Sequence, residues 1–149
     1  MNVRLTNTAL DVGAELAAFV DGRTDAGALV NFVGYCRDAT AGQPVDALFI
    51  DHYPNFSERQ IAAIAEGICR RFEILDLRIV HRVGRIEPGE AIVLVAALSV
   101  HRGPAFDGVR MLMDYLKIDA PFWKQESGPD GARWIEPSAE DLARRTEVA

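Results

Sequence analysis

Four cationic positions in the second half of this chain could do chemistry together. His101 and Arg102 sit inside "VHRGPAF" (residues 100–106), and Lys117 and Lys124 bracket "KIDAPFWK" (117–124). An arginine offers a planar fork suited to phosphate or carboxylate, and a histidine adds a donor that titrates near neutrality. A partly buried lysine can have a lowered pKa and serve as acid, base or nucleophile. Gathered around one space, the four would make an anion pocket. The plainer alternative is a surface ion pair at Arg102, a hydrogen-bonded His101, and two lysines whose stems snorkel while their ammonium groups stay in water.

Arg37, just past Gly34 at the end of a strand-like run, could add a further cation. Phe32 and Arg37 are five residues apart, so a regular strand puts them on opposite faces. They share a pocket only if the strand is irregular at Gly34 or its end. Glu126, two residues after Lys124, can orient a lysine or form an exposed pair. His81-Arg82 repeats the His-Arg dipeptide inside a strand and reads as structural. His52, His81 and His101 lack metal-ligand spacing, as do Cys36 and Cys69, so no metal site is expected. The sequence has no Gly-x-Ser-x-Gly elbow and no Gly-rich phosphate loop after a strand.

The elements that must position these residues are legible from periodicity. Residues 11–20 form a short helix with Asp11 as N-cap. Residues 27–37 and 45–53 read as a pair of strands around the loop "DATAGQP". "NFSERQIAAIAEGICRRF" (55–72) is a helix, with Asn55 and Glu58 at capping-box spacing and an apolar stripe of Ile61, Ile64, Ala65, Ile68, Cys69 and Phe72. Residues 75–86 and 91–100 are strands joined by the turn "EPGE". Residues 103–118 form a second long helix with Pro104 in its first turn and Phe106, Val109, Met113, Leu116 and Lys117 on or near one face. "FWKQE" and "ARWIEP" flank "SGPDG" as a hairpin, and Ser138 and Asp141 have cap spacing for a last helix. Adjacent strands without an intervening helix predict an α+β domain with an antiparallel sheet and packed helices.

The bulk composition limits the function. A 149-residue chain, about half hydrophobic and a quarter charged, fits one domain, residues 1–149. A net charge of −6 argues against nucleic-acid binding, so any cationic site is a local cluster. Two cysteines read as reduced thiols of a cytoplasmic protein, and no stretch resembles a signal peptide or a membrane span.

At these residues the chain resembles the catalytic (large) subunit of molybdopterin synthase. The matching stretches are "VNFVGYCR", "LFIDHYPNFSE", "VHRVGRIEPGE", "SVHRGPAF", "MDYLKIDAPFWKQE" and "GARWIE", from about residue 28 to residue 136. The resemblance implies an α/β hammerhead fold and a homodimer of catalytic subunits. Each would bind a small ubiquitin-like sulfur carrier ending in a Gly-Gly thiocarboxylate, giving a heterotetramer. The implied substrate is cyclic pyranopterin monophosphate, which gains two sulfurs as the dithiolene of molybdopterin, with no cofactor at this step. The implied catalytic residues are Lys117 and Lys124. The implied substrate contacts are Tyr35, Cys36, Arg37, His101, Arg102, Lys117, Lys124, Gln125 and Glu126, with Phe32 and Met113 as pocket walls. Asp51, Phe56, Cys36 and Gln125 depart from the family's usual residues, and the C-terminal "SAEDLARR" matches least.

A module that only binds the tail of a ubiquitin-like protein would use the same cations to clamp a carboxylate. It would form no pterin product.

Overall fold

The computed structural model describes residues 1–148, with side chains through Arg144. In chain order the elements are β1 (Asn2–Thr6), α1 (Val12–Val20), β2 (Ala28–Tyr35), β3 (Ala39–Thr40), β4 (Gln43–Pro44), β5 (Ala47–His52) and α2 (Phe56–Phe72). There follow β6 (Asp76–Arg82), β7 (Gly84–Ile86), β8 (Ala91–Ser99), α3 (Arg102–Asp119), β9 (Phe122–Gly128), β10 (Gly131–Ile135) and α4 (Ala139–Val148). Two four-stranded sheets carry the architecture, with strand orders β1-β6-β8-β2 and β10-β9-β5-β7. The α+β class expected from the sequence is the one observed, although β1 was not foreseen and pairs with β6 in parallel.

The first sheet is covered on both faces, which explains the unbroken apolar run in β8. Val93, Val95 and Ala97 pack with Ile61, Ile68, Val109 and Leu112 of α2 and α3. Ala96 and Leu98, on the opposite face by strand alternation, pack with Phe19 of α1. Leu112 is fully buried, so Leu112→Ala would cost about 2–5 kcal/mol of stability. A second cluster of Cys36, Leu48, Ile50, Val83 and Ile86 lies under the other sheet.

Four local expectations are corrected. Residues 27–37 and 45–53 do not pair: β2 pairs with β8, and β5 with β9 and β7. Between them the β3–β4 ribbon turns through Ala41 and Gly42, both at positive φ, and carries the chain out of the first sheet. The run 75–86 is two strands in two sheets, because Gly84 (φ +79°) changes the chain's direction. Asn55 makes no capping bond and sits at φ +64°. Instead the buried Ser57 hydroxyl accepts from Tyr53 N at 3.0 Å. Finally, Phe106 is 59% exposed, and the buried stripe of α3 runs through Ala105, Gly108, Val109, Leu112 and Leu116.

Other local signals hold. Asp11 Oδ1 accepts from Ala14 N at 3.0 Å, Ser138 Oγ accepts from Asp141 N at 3.1 Å, and β9 and β10 form the expected hairpin. None of the described helices is long and apolar enough to cross a membrane.

Candidate active site

The corner between α3 and β9 places the two lysines. Lys117 lies in the last turn of α3, which stops at Asp119 because Pro121 cannot continue a helix. The Ser57 hydroxyl donates to Pro121 O at 3.0 Å, and Phe122 N donates to Ala120 O at 2.8 Å, fixing the bend. The chain then enters β9, where alternation puts Phe122, Lys124 and Glu126 on one face and Trp123 and Gln125 on the other. Lys117 and Lys124 thereby face one cavity of about 490 Å³.

Arg37, Tyr35 and Phe32 reach that cavity from the first sheet, with Met113 as a wall from α3. The β2–β8 register shifts between Gly34 and Tyr35. That is the irregularity Phe32 and Arg37 require to share a pocket, and Tyr35 is left 57% exposed at its rim. Among the described residues lining the cavity are one arginine, Arg37, two lysines, Lys117 and Lys124, and one histidine, His81, and no carboxylate. In a chain of net charge −6 this is a local concentration of positive charge.

Burial, followed by the charge of Lys117, lowers the pKa of Lys124 to about 8, with Asp141 opposing. At neutral pH a usable fraction of Lys124 is free amine, so it can act as acid or base where an exposed lysine could not. A second, smaller cavity of about 140 Å³ lies on the other side of the same lysines and is lined also by Glu136 and Asp141. Burial works to raise the Asp141 pKa, but hydrogen bonds with Ser138, aided by the charge of Lys117, hold it below the ordinary value.

The remaining expected site residues fall elsewhere. His101 and Arg102 stand at the start of α3 and are exposed. Fifteen residues of helix separate Arg102 from Lys117, about 22 Å at 1.5 Å per residue. One chain therefore does not bring them to the lysine cavity. Cys36 is buried in the second core, where burial raises its thiol pKa and Sγ donates to Arg37 O at 3.7 Å. Gln125 pairs across β9 with Trp134 and Phe49, on the face away from Lys124. Glu126 is buried and accepts from Thr40 Oγ1 at 3.0 Å and Arg133 at 2.9 Å, so its carboxylate is occupied by structure. His81, read from sequence as structural, lines the cavity. Its alternation with the core positions Leu77 and Ile79 on β6 was the signal that it points inward. Among the described residues, no group of three or more His, Cys, Asp or Glu could hold a metal ion.

Fold and site together define an α+β protein with a carboxylate-free, lysine- and arginine-lined cavity whose charge would favour an anion. The model of the family described as MoaE protein matches residues 5–119, and the chain belongs to that family. Its relatives include a molybdopterin synthase catalytic subunit of Caulobacter vibrioides, 49% identical over 141 residues that cover 95% of this chain and 93% of that one. Another, from Pseudomonas aeruginosa, is 45% identical over 143 residues, covering 96% and 95%. A solved structure of a molybdopterin biosynthesis MoaE protein from Burkholderia ambifaria superposes with a TM-score of 0.83 at 41% identity, over 99% of this chain and 98% of that chain.

Proposed function

We propose that this chain is the catalytic subunit of a molybdopterin synthase, working as one domain in the cytoplasm. It transfers sulfur from a thiocarboxylated, ubiquitin-like carrier to cyclic pyranopterin monophosphate. The observation that carries this reading is the cavity in which Arg37, Lys117 and Lys124 converge without a carboxylate. Both reactants are anions, and opening a cyclic phosphate develops further negative charge on oxygen, which preorganised cations stabilise.

A Gly-Gly tail, having no side chains to clash, is suited to entering the cavity in extended form. Lys117 acts at the thiocarboxyl carbonyl or the reacting carbon, and Lys124 supplies or removes the proton, its lowered pKa suiting it to that work. Arg37 holds phosphate at the cavity mouth. Phe32 and Met113 exclude water from the reacting atoms.

His101 and Arg102 retain a role in substrate binding only if a second copy presents them. A small phosphate ester does not bridge about 22 Å. A homodimer in which α3 of one copy begins beside the cavity of the other meets the requirement, and with two carriers the assembly is a heterotetramer.

The test is carrier truncation. With the thiocarboxylated carrier present, the pterin substrate should be converted; with a carrier lacking its Gly-Gly, turnover should vanish. A truncated carrier that still supports product formation overturns tail insertion.

A further inference from the structure

His81 lies on β6 between Leu5 of β1 and Val93 of β8, is 5% exposed, and lines the cavity that holds Lys124. Its Nδ1 is 2.7 Å from the carbonyl oxygen of Arg82. A carbonyl can only accept, so Nδ1 carries the hydrogen and Nε2 keeps a lone pair. That carbonyl belongs to a residue clamped at its other end. The Arg82 guanidinium donates to Glu90 and to Arg85 O, both at 2.9 Å. The imidazole packs on Phe122 with centroids 4.4 Å apart and planes at 35°. Phe122 is two residues before Lys124 on β9 and so shares its face. Among the described residues, nothing else hydrogen-bonds the ring.

We propose that His81 is a positioning residue for Lys124, a neutral acceptor on the cavity wall whose Nε2 takes one N–H of the lysine ammonium and turns the others toward the bound anion. An ammonium has three donors and no acceptor, so one tethered N–H leaves two for substrate. A carboxylate in this place would discharge Lys124 and weaken its pull on an anion. A second cation would repel it. A neutral imidazole orients the ammonium without altering the cavity's charge.

The remaining charged groups around Lys124 leave this role open. Lys117 of α3 and Arg37 after β2 are cations in the same cavity, while Glu136 and Asp141 lie in the smaller cavity beyond the lysines. Burial, with the Lys124 charge next, pushes His81 to about 3 against the hydrogen bond at Arg82, so the ring stays neutral through the working pH range. In the structure His81 and Lys124 line the same cavity with no hydrogen bond between them, and the proposed bond is one that forms when an anion is bound. The kinetic consequence rests on the sulfur-transfer reading of the cavity; the tautomer does not.

Two measurements on the full chain test the proposal. Imidazole ¹⁵N spectra between pH 5.5 and 8.5 should show His81 as the neutral Nδ1–H tautomer, flat with pH; an Nε2–H tautomer or a titration near 6.5 overturns it. In the assay with thiocarboxylated carrier and cyclic pyranopterin monophosphate, His81→Phe keeps a ring on Phe122 but removes the acceptor. It should lower kcat by roughly tenfold or more and leave KM within about threefold. Losing the acceptor disfavours the protonated amine, so the Lys124 transition should fall by roughly half a unit to one unit. His81→Gln, which restores an acceptor, should recover most of the rate. Wild-type kcat in His81→Phe overturns the proposal, as does a slow variant with an unmoved pH transition that Gln does not rescue. If the wild-type protein forms no product, the sulfur-transfer reading fails instead. The tautomer, and the Lys124 pKa of the two variants read by NMR in saturating inorganic phosphate, then decide this proposal alone.

Discussion

Lys117, in the last turn of α3, and Lys124, two residues into β9, face one cavity across a proline-stopped corner, and after burial it is the charge of Lys117 that most lowers the pKa of Lys124. The repulsion has a use. A site with two crowded cations and no carboxylate is relieved when an anion enters, so binding and catalysis draw on the same arrangement.

Lys117 and Arg102 are expected to fail differently. Lys117→Ala removes a contact made where charge changes, and steady-state assays should show kcat lower by ~100-fold or more. Arg102→Ala removes a hold on a phosphate charged throughout, so KM for the pterin should rise more than kcat falls. Near-normal turnover in Lys117→Arg, which keeps charge but not a compact amine, would reduce Lys117 to a clamp.

Mixing those two impaired variants, assayed at pterin well below the raised KM, tests whether the site is shared. If Arg102 serves its partner's cavity, a mixed dimer has one intact site, and co-refolded protein should regain roughly a quarter of wild-type activity. Recovery of nothing, from protein shown to be dimeric by its mass in solution, would contradict a site shared between two copies.

Lys124 should cost stability at neutral pH. Its pKa of about 8 lies below the usual 10.5, so between those values the unfolded chain binds more protons and stability rises with pH. Below pH 8 both states are charged and the full penalty applies. Lys124→Met should therefore stabilise the protein at pH 7 by on the order of 1–3 kcal/mol in urea titrations, while abolishing turnover. A variant less stable than wild type at pH 7 would contradict the assigned burial cost.

Glu126→Gln probes the structural ion pair next to the site. It weakens two bonds of a buried carboxylate, to Thr40 and Arg133, and should cost about 1–3 kcal/mol in the same titrations. No measurable loss would mean that these bonds contribute nothing net.

Much of this arrangement was legible in residue order. The stripe of α2, the Asp11 and Ser138 caps and the β9–β10 hairpin follow from local periodicity and turn chemistry. The need for an irregularity near Gly34 was also visible, because Phe32 and Arg37 have the wrong parity for one face of a regular strand. Sheet membership was not legible. Nothing in the alternation of residues 75–86 says that Gly84 redirects the chain, or that 45–53 joins strands from the far end of the sequence. For His81 the sequence could not separate two surroundings, because a buried histidine in a strand reads the same whether it packs a core or lines a cavity. Residue type alone grouped His101 and Arg102 with the lysines, and their separation along α3 was not weighed.

The central claim is that this cavity moves sulfur from a carrier's tail to a pterin phosphate. The most direct measurement incubates the protein with thiocarboxylated carrier and cyclic pyranopterin monophosphate and follows the pterin by mass spectrometry. The expected result is an opened phosphate carrying two added sulfurs, formed with loss of the carrier's thiocarboxylate and absent in Lys117→Ala. Phosphate release or tail binding without sulfur in the pterin, under conditions where a related synthase succeeds, would contradict it.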